Sequence, residues 1–174
     1  MMTIVNGTNR IGNLTSVFSL HVEKLLKNKT DEPVELINLE KLPRDFAFHN
    51  EVYGKSAPEF TEIIEQKIEP AQKFLWLSPE YNGGFPGVSK TFIDAVKPAR
   101  FKGKKIAFAG VSAGRTGNAR GMDQLTAVAN YLGMHVMPFK PAINNINGLL
   151  TEGKITDEET LKLFDSFTDD FLKY

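Results

Sequence analysis

The apolar run 74–78 ends in Pro79, Glu80, Tyr81, Asn82, Gly83, Gly84, Phe85, Pro86 and Gly87. A buried strand thus runs out into a turn that exposes its backbone, and a helix restarts near Pro86. Open α/β sheets hold ligands at this place, outside the carboxyl ends of their strands. The residue types suit a flat aromatic ligand with polar edges. Glycine lets a ring approach the backbone, Tyr81 offers a ring face, and Asn82 carries both donors and acceptors.

Two other stretches have chemistry of the same kind. Gly7, Thr8, Asn9, Arg10, Ile11, Gly12, Asn13, Leu14 and Thr15 place two hydroxyls, amides and one arginine around the start of a helix. The run is neither a Walker A loop nor a GxGxxG fingerprint, because the lysine and the glycine spacing are wrong. Free N–H groups and the helix dipole would still favour a phosphate there. A bland reading stands beside this one: Asn13 caps the helix and Arg10 is a solvated surface residue. The run 110–117 brings Ser112, Thr116 and three glycines, at 110, 114 and 117. These either hydrogen-bond the edge of a ring or simply turn the chain from strand to helix. Arg115 reads best as surface charge.

The elements that must position these loops are short apolar runs alternating with helical patterns, which is the signature of βαβ units and a parallel sheet. Strands are expected at 3–5, 34–39, 73–78, 104–110 and 135–139. Helices are expected with Leu14, Val17, Phe18, His21, Leu25 and Leu26 on one face, and over 58–69, 87–96 and 119–132. A last helix opens on a capping box at 156–159 and buries Leu161, Phe164, Phe167 and Phe171. The connection 40–57, with His49 among its aromatics, is long enough to be a lid or an interface element. His21 and Trp76 read as core residues. In a doubly wound sheet of order 2-1-3-4-5, the loops after strands one and three flank one crevice and the loop after strand four lies beside it.

With 174 residues the chain has the length of a single domain, 1–174, with a full core. Basic and acidic residues balance at 21 each, so no net field draws the chain to nucleic acid or an anionic membrane. Cysteine is absent, which excludes disulfides, thiolate metal sites and a cysteine nucleophile. The three histidines have no metal-ligand spacing, so no metal is expected. The first residues are too short and uncharged for a signal peptide, and no run reaches the roughly 20 apolar residues of a membrane helix. A cytoplasmic location is expected.

Taken together, these stretches resemble the NADPH-dependent FMN reductase family, which includes quinone- and azo-reducing flavoproteins. The resemblance runs from Ile4 to about Pro138, and the Pro79, Glu80, Tyr81, Asn82, Gly83, Pro86, Gly87 signature is its most specific part. It implies an α/β, flavodoxin-like, doubly wound five-stranded parallel sheet with helices on both faces. It implies FMN as cofactor, NADPH or NADH as electron donor, and a small-molecule acceptor such as a quinone, an azo compound or free flavin. By the same resemblance, Thr8, Arg10, Asn13 and Thr15 hold the phosphate, helped by N–H groups of Asn13, Leu14 and Thr15. Pro79, Glu80, Tyr81, Asn82 and Gly83 line the isoalloxazine, mostly through backbone. Ser112, Gly114 and Gly117 close its other side. Hydride would pass through the flavin in ping-pong order, so no catalytic side chain is expected. The resemblance also implies a homodimer or homotetramer.

Two residues depart from the family pattern. Asn13 stands where a serine is usual, and Asn118 where a second glycine is usual. Retuned FMN binding is the expected result. The alternatives are a flavodoxin-like electron carrier and a flavin-free interaction module. Carriers lean acidic to steer toward basic partners, and this chain is balanced.

Overall fold

Short, continuously apolar runs build the centre of the sheet. The structure is a computed structural model that describes residues 1–43, 45–46 and 57–174. Strands β1 (Met2–Asn6), β2 (Val34–Asn38), β3 (Lys73–Pro79) and β4 (Lys105–Val111) pair in parallel, in the order β2-β1-β3-β4. Ile4 faces Leu36 on one side and Leu75 on the other, and Leu75 faces Ala107. A parallel sheet covered on both faces needs apolar residues at almost every position, and these strands supply them.

One face carries Val5, Phe74, Trp76, Ile106 and Phe108. It packs against α2 (Pro58–Ile63), α3 (Gly87–Asp94) and α4 (Ala119–Tyr131). The other face carries Ile4, Leu75, Leu77, Ala107 and Ala109. It packs against α1 (Thr15–Lys29) and α5 (Glu158–Lys173). The alanines are small where α5 drives Phe164, Phe167 and Phe171 into the core, all three fully buried. The lysines at the strand entries have a structural task as well. Lys73 Nζ donates to the Leu172 carbonyl at 2.7 Å, and Lys105 Nζ donates to Tyr174 O. Both cap the negative end of α5.

Several expectations are corrected. The fifth strand is split into β5 (His135–Val136), which pairs with the entry of β4, and β6 (Ala142–Ile143), which pairs with its exit. Pro138 and Pro141 lie between the halves and cannot donate to a ladder. The buried stripe of α1 is Thr15, Phe18, Ser19, Val22 and Leu26, whereas Leu14 is exposed. Small polar residues at 15 and 19 hide that stripe from a hydrophobicity count. Helix α2 widens into a π turn over Ile64–Ile68, where Glu69 N–H reaches the Ile64 carbonyl at 2.8 Å.

At α5 the cap is Asp157 rather than Thr156, with its carboxylate accepting Thr160 N–H at 2.8 Å. Thr160 is buried while Leu161 is only half-buried. The hairpin β7 (Leu150–Thr151) and β8 (Lys154–Ile155) precedes this cap. Trp76 lies in the core, as expected. His21 packs edge-on to Phe164, and burial, with Lys24 beside it, lowers its pKa against the opposing pull of Asp165. Most of the expected lid, His49 included, lies outside the described residues.

Candidate active site

The loops that leave β1, β3 and β4 enclose a cleft of about 380 Å³. Arg10, Asn13, Leu14, Thr15, Pro79, Glu80, Tyr81, Ser112 and Gly114 are in its walls. Thr8, Asn82, Gly83 and Gly117, singled out from the sequence with them, do not line it.

The first loop lies tight on β3. A Cβ at Gly7 would fall 2.3 Å from Trp76 Nε1, so only glycine fits. Asn13 is used up by the protein. Its Nδ2 donates to Glu40 Oε2 at 2.7 Å and to the Arg10 carbonyl at 2.9 Å. Its Oδ1 accepts Ser16 N–H at 2.9 Å and Asn6 Nδ2 at 3.2 Å. The side chain therefore caps α1, and only its backbone is left for a ligand. Glu40 also accepts Gly12 N–H at 3.2 Å, which holds the loop from the side away from the cleft. The unusual amide at 13 thus has a carboxylate to match it.

A set of donors stays open at the mouth of α1. Among the described residues, the Arg10 guanidinium, the Thr15 hydroxyl and the Leu14 and Thr15 N–H groups have no hydrogen-bond partner. The first turn of α1 holds no acid, whereas α5 begins with Glu158 and Glu159 behind an aspartate cap. With no acid in that first turn, the free N–H groups at the positive end of the α1 dipole favour a bound anion.

At the end of β3, Tyr81 and Gly84 exchange two backbone bonds, Tyr81 N–H to Gly84 O at 2.8 Å and the reverse at 3.1 Å. Asn82 and Gly83 between them have φ of 52° and 78°. This is a two-residue turn of the Asn-Gly kind, with both central residues left-handed. Asn82 and Gly83 reverse the chain, and Tyr81 is what the reversal delivers to the cleft. The Tyr81 hydroxyl lies 2.6 Å from Thr8 Oγ1. Glu80 accepts the Thr116 hydroxyl at 2.5 Å, tying this hairpin to the loop after β4.

That third loop is fastened from beneath. Gly117, at φ +56°, would put a Cβ 2.5 Å from the Ala142 carbonyl carbon. Asn118 follows at φ 66° and is fully buried. Its Nδ2 reaches the Ser78 and Pro79 carbonyls, each at 2.9 Å. Asparagine tolerates the left-handed conformation that glycine would supply, and here it adds a strut between two walls of the cleft.

Gly12, Val111 and Ala113, from the first and third loops, complete the walls together with Ile146 and Asn147, which sequence reasoning missed. Ile146 and Asn147 come from the segment after β6, which lies over the third loop through Asn145 N–H to Gly114 O at 3.3 Å. The one signal for them is the apolar pair Ala142 and Ile143 beyond Pro141, too short for a periodicity to register.

A family model described as NADPH-dependent FMN reductase matches residues 1–148. The chain belongs to the NADPH-dependent FMN reductase family. An NAD(P)H-dependent FMN reductase of Pseudomonas aeruginosa is 31% identical to this chain over 136 residues, 75% of this chain and 71% of that one. A 2-hydroxy-1,4-benzoquinone reductase of Burkholderia sp is 30% identical over 145 residues, covering 74% and 79%. The solved structure of FerB, a flavoenzyme NAD(P)H:(acceptor) oxidoreductase of Paracoccus denitrificans, shares the fold. Its TM-score is 0.79 over 99% of this chain and 95% of its own, at 24% identity. The reductase is an oxidoreductase of flavodoxin-like fold, in a family that uses FMN as cofactor and NAD(P)H as electron donor.

The cleft fits that cofactor chemically. Open cationic and N–H donors at one end match a phosphate, and backbone-rich walls at 79–81 and 112–114 match a planar ring with polar edges. Its volume is within the range of about 300–1,000 Å³ usual for small-molecule sites. Glu80, the acid in the wall, is already engaged by Thr116.

Proposed function

We propose that this chain is an NAD(P)H-dependent oxidoreductase that holds FMN in the cleft and reduces small acceptors such as quinones, azo compounds or free flavin. The observation that carries this reading is the pairing, in one cleft, of a helix N-terminus with free N–H donors and an Arg10 unpaired among the described residues with a backbone-rich slot beside Tyr81. When bound, FMN would supply hydride transfer from the nicotinamide to the acceptor. The chain's own residues bind and orient. Arg10, the Thr15 hydroxyl and the Leu14 and Thr15 N–H groups take the phosphate charge. Pro79, Glu80 and Tyr81 form one side of the ring slot, and Ser112 and Gly114 the other. Asn118 holds those two sides at a set spacing, and Ile146 and Asn147 cover the rim against water. The named benzoquinone reductase relative supports a quinone among the acceptors.

The reading extends to one domain over 1–174 and to a homodimer or homotetramer. Among the described residues no helix is long and apolar enough to cross a membrane. A cysteine-free sequence fits a reducing cytoplasm. The test is the visible spectrum after loading with FMN and desalting, before and after anaerobic NADPH. Retained flavin bands that bleach are expected. Bands that persist with both nicotinamides would favour an electron carrier, and failure to bind FMN at any concentration would end the reading.

A further inference from the structure

We infer that the phenol of Tyr81 donates its proton to the phosphate of the cofactor, and that buried Thr8 sets the direction of that bond. The inference rests on the FMN reading above.

Proton accounting carries it. Thr8 is fully buried, and its Oγ1 lies 2.6 Å from the Tyr81 hydroxyl while accepting Arg10 N–H at 3.2 Å. A hydroxyl has one proton and two lone pairs. Arg10 N–H occupies one lone pair, and the proton has a single acceptor within reach among the described residues, the Tyr81 oxygen. Were Tyr81 the donor instead, the Thr8 proton would be buried with nothing to receive it, which costs more than an ordinary bond returns. Thr8 therefore donates.

The phenolic proton of Tyr81 is then left for the cleft. Tyr81 is half-buried in the cleft wall, and no described group accepts from its hydroxyl. A phenol whose oxygen already accepts a bond is polarised into a better donor. Arg10 N–H, Thr8 and Tyr81 thus form a chain in which each group donates to the next, ending at the phenol in the cleft wall. The bond to Thr8 also holds the hydroxyl at the first loop, beside Arg10 and the mouth of α1, away from the tip of its own hairpin. An anionic oxygen suits such a donor best, since charge-assisted bonds are the strong ones. Tyr81 is thus a binding residue, and Thr8 is a positioning residue that touches no ligand.

The probes are FMN and riboflavin, which differ by the phosphate, titrated into the flavin-free protein and read by flavin fluorescence without turnover. Wild type should prefer FMN. Equal affinities would remove the phosphate reading itself and leave this inference without a footing. Tyr81→Phe should weaken FMN by roughly ten- to hundredfold and leave riboflavin unchanged. Thr8→Val should weaken FMN by a smaller factor, Thr8→Ser should restore it, and Thr8→Val should add nothing in the Tyr81→Phe background. With wild-type FMN preference intact, three results would overturn the inference: no FMN loss in Tyr81→Phe, equal losses for both flavins, or additive losses in the double variant. Circular dichroism of each variant separates these from misfolding.

Discussion

Arg10 and Asn13 sit three positions apart in one loop and do opposite work. Arg10 is exposed and unpaired among the described residues, whereas every hydrogen-bonding position of the Asn13 side chain is taken by protein. Arg10→Ala should therefore weaken FMN by roughly tenfold or more, the worth of a hydrogen bond to a charged group. Riboflavin should be unaffected, and the FMN loss should shrink as salt screens the charge. Titrations of both flavins at two ionic strengths check it. Asn118→Gly keeps the left-handed backbone but deletes the bonds to Ser78 and Pro79. It should cost about 1–3 kcal/mol in urea unfolding and loosen the ring end of the cleft. A neutral result would mean that the family's usual glycine serves equally well.

Among the elements, the loop after β4 is where a side chain should block the cleft without harming the fold. Gly114 lines the cleft, has no positive φ, and a Cβ there would meet only Ser112 Oγ at 3.4 Å. Gly114→Leu should abolish flavin retention while stability stays within about 0.5 kcal/mol, as for other surface changes. Gly83 is no such site, since a Cβ there meets nothing within 4 Å and the residue holds φ +78°. The cap of α5 makes a pH-dependent prediction. Hydrogen bonds from Thr160 lower the Asp157 pKa below its ordinary 3.8. A carboxyl depressed in the folded state adds stability above its unfolded pKa and loses it as pH falls through the folded value. The melting temperature of Asp157→Ala should lie below wild type at pH 7, and the gap should close below about pH 3.8. The cap was legible as a motif, but the motif pointed to Thr156. Which of two neighbouring oxygens reaches the first free N–H depends on how the preceding hairpin β7–β8 delivers the chain.

For the whole molecule, the cleft is a joint between three loops, and a ligand that spans it binds only the folded chain. Saturating FMN at about a hundred times its dissociation constant adds about 2.7 kcal/mol. For a domain of this size that is a rise of roughly 5–10 °C in the unfolding midpoint. Differential scanning fluorimetry with FMN and riboflavin reads the shift. A rise that is no larger for FMN than for riboflavin would show that the phosphate end contributes nothing. The lower end of the sheet should not respond, because Lys73 and Lys105 already cap α5 there with no ligand.

The sequence by itself determined the first four strands, their parallel pairing and the end of the sheet where the cleft lies. Those follow from local rules: continuous apolar runs in Phe74 to Leu77 and in Ile106 to Ala109, helical spacing in between, and glycine-rich turns after three strands. Tertiary structure alone decided which polar groups remain free for a ligand. Asn13 loses its side chain to Glu40, 27 residues away, and the Thr8 hydroxyl is bonded to that of Tyr81, 73 residues away. Asn118 reaches back 40 residues to Ser78, and Ile146 arrives through a strand of two residues. A hydrogen bond is decided by ångström distances across the sheet register, and no spacing along the chain encodes those distances.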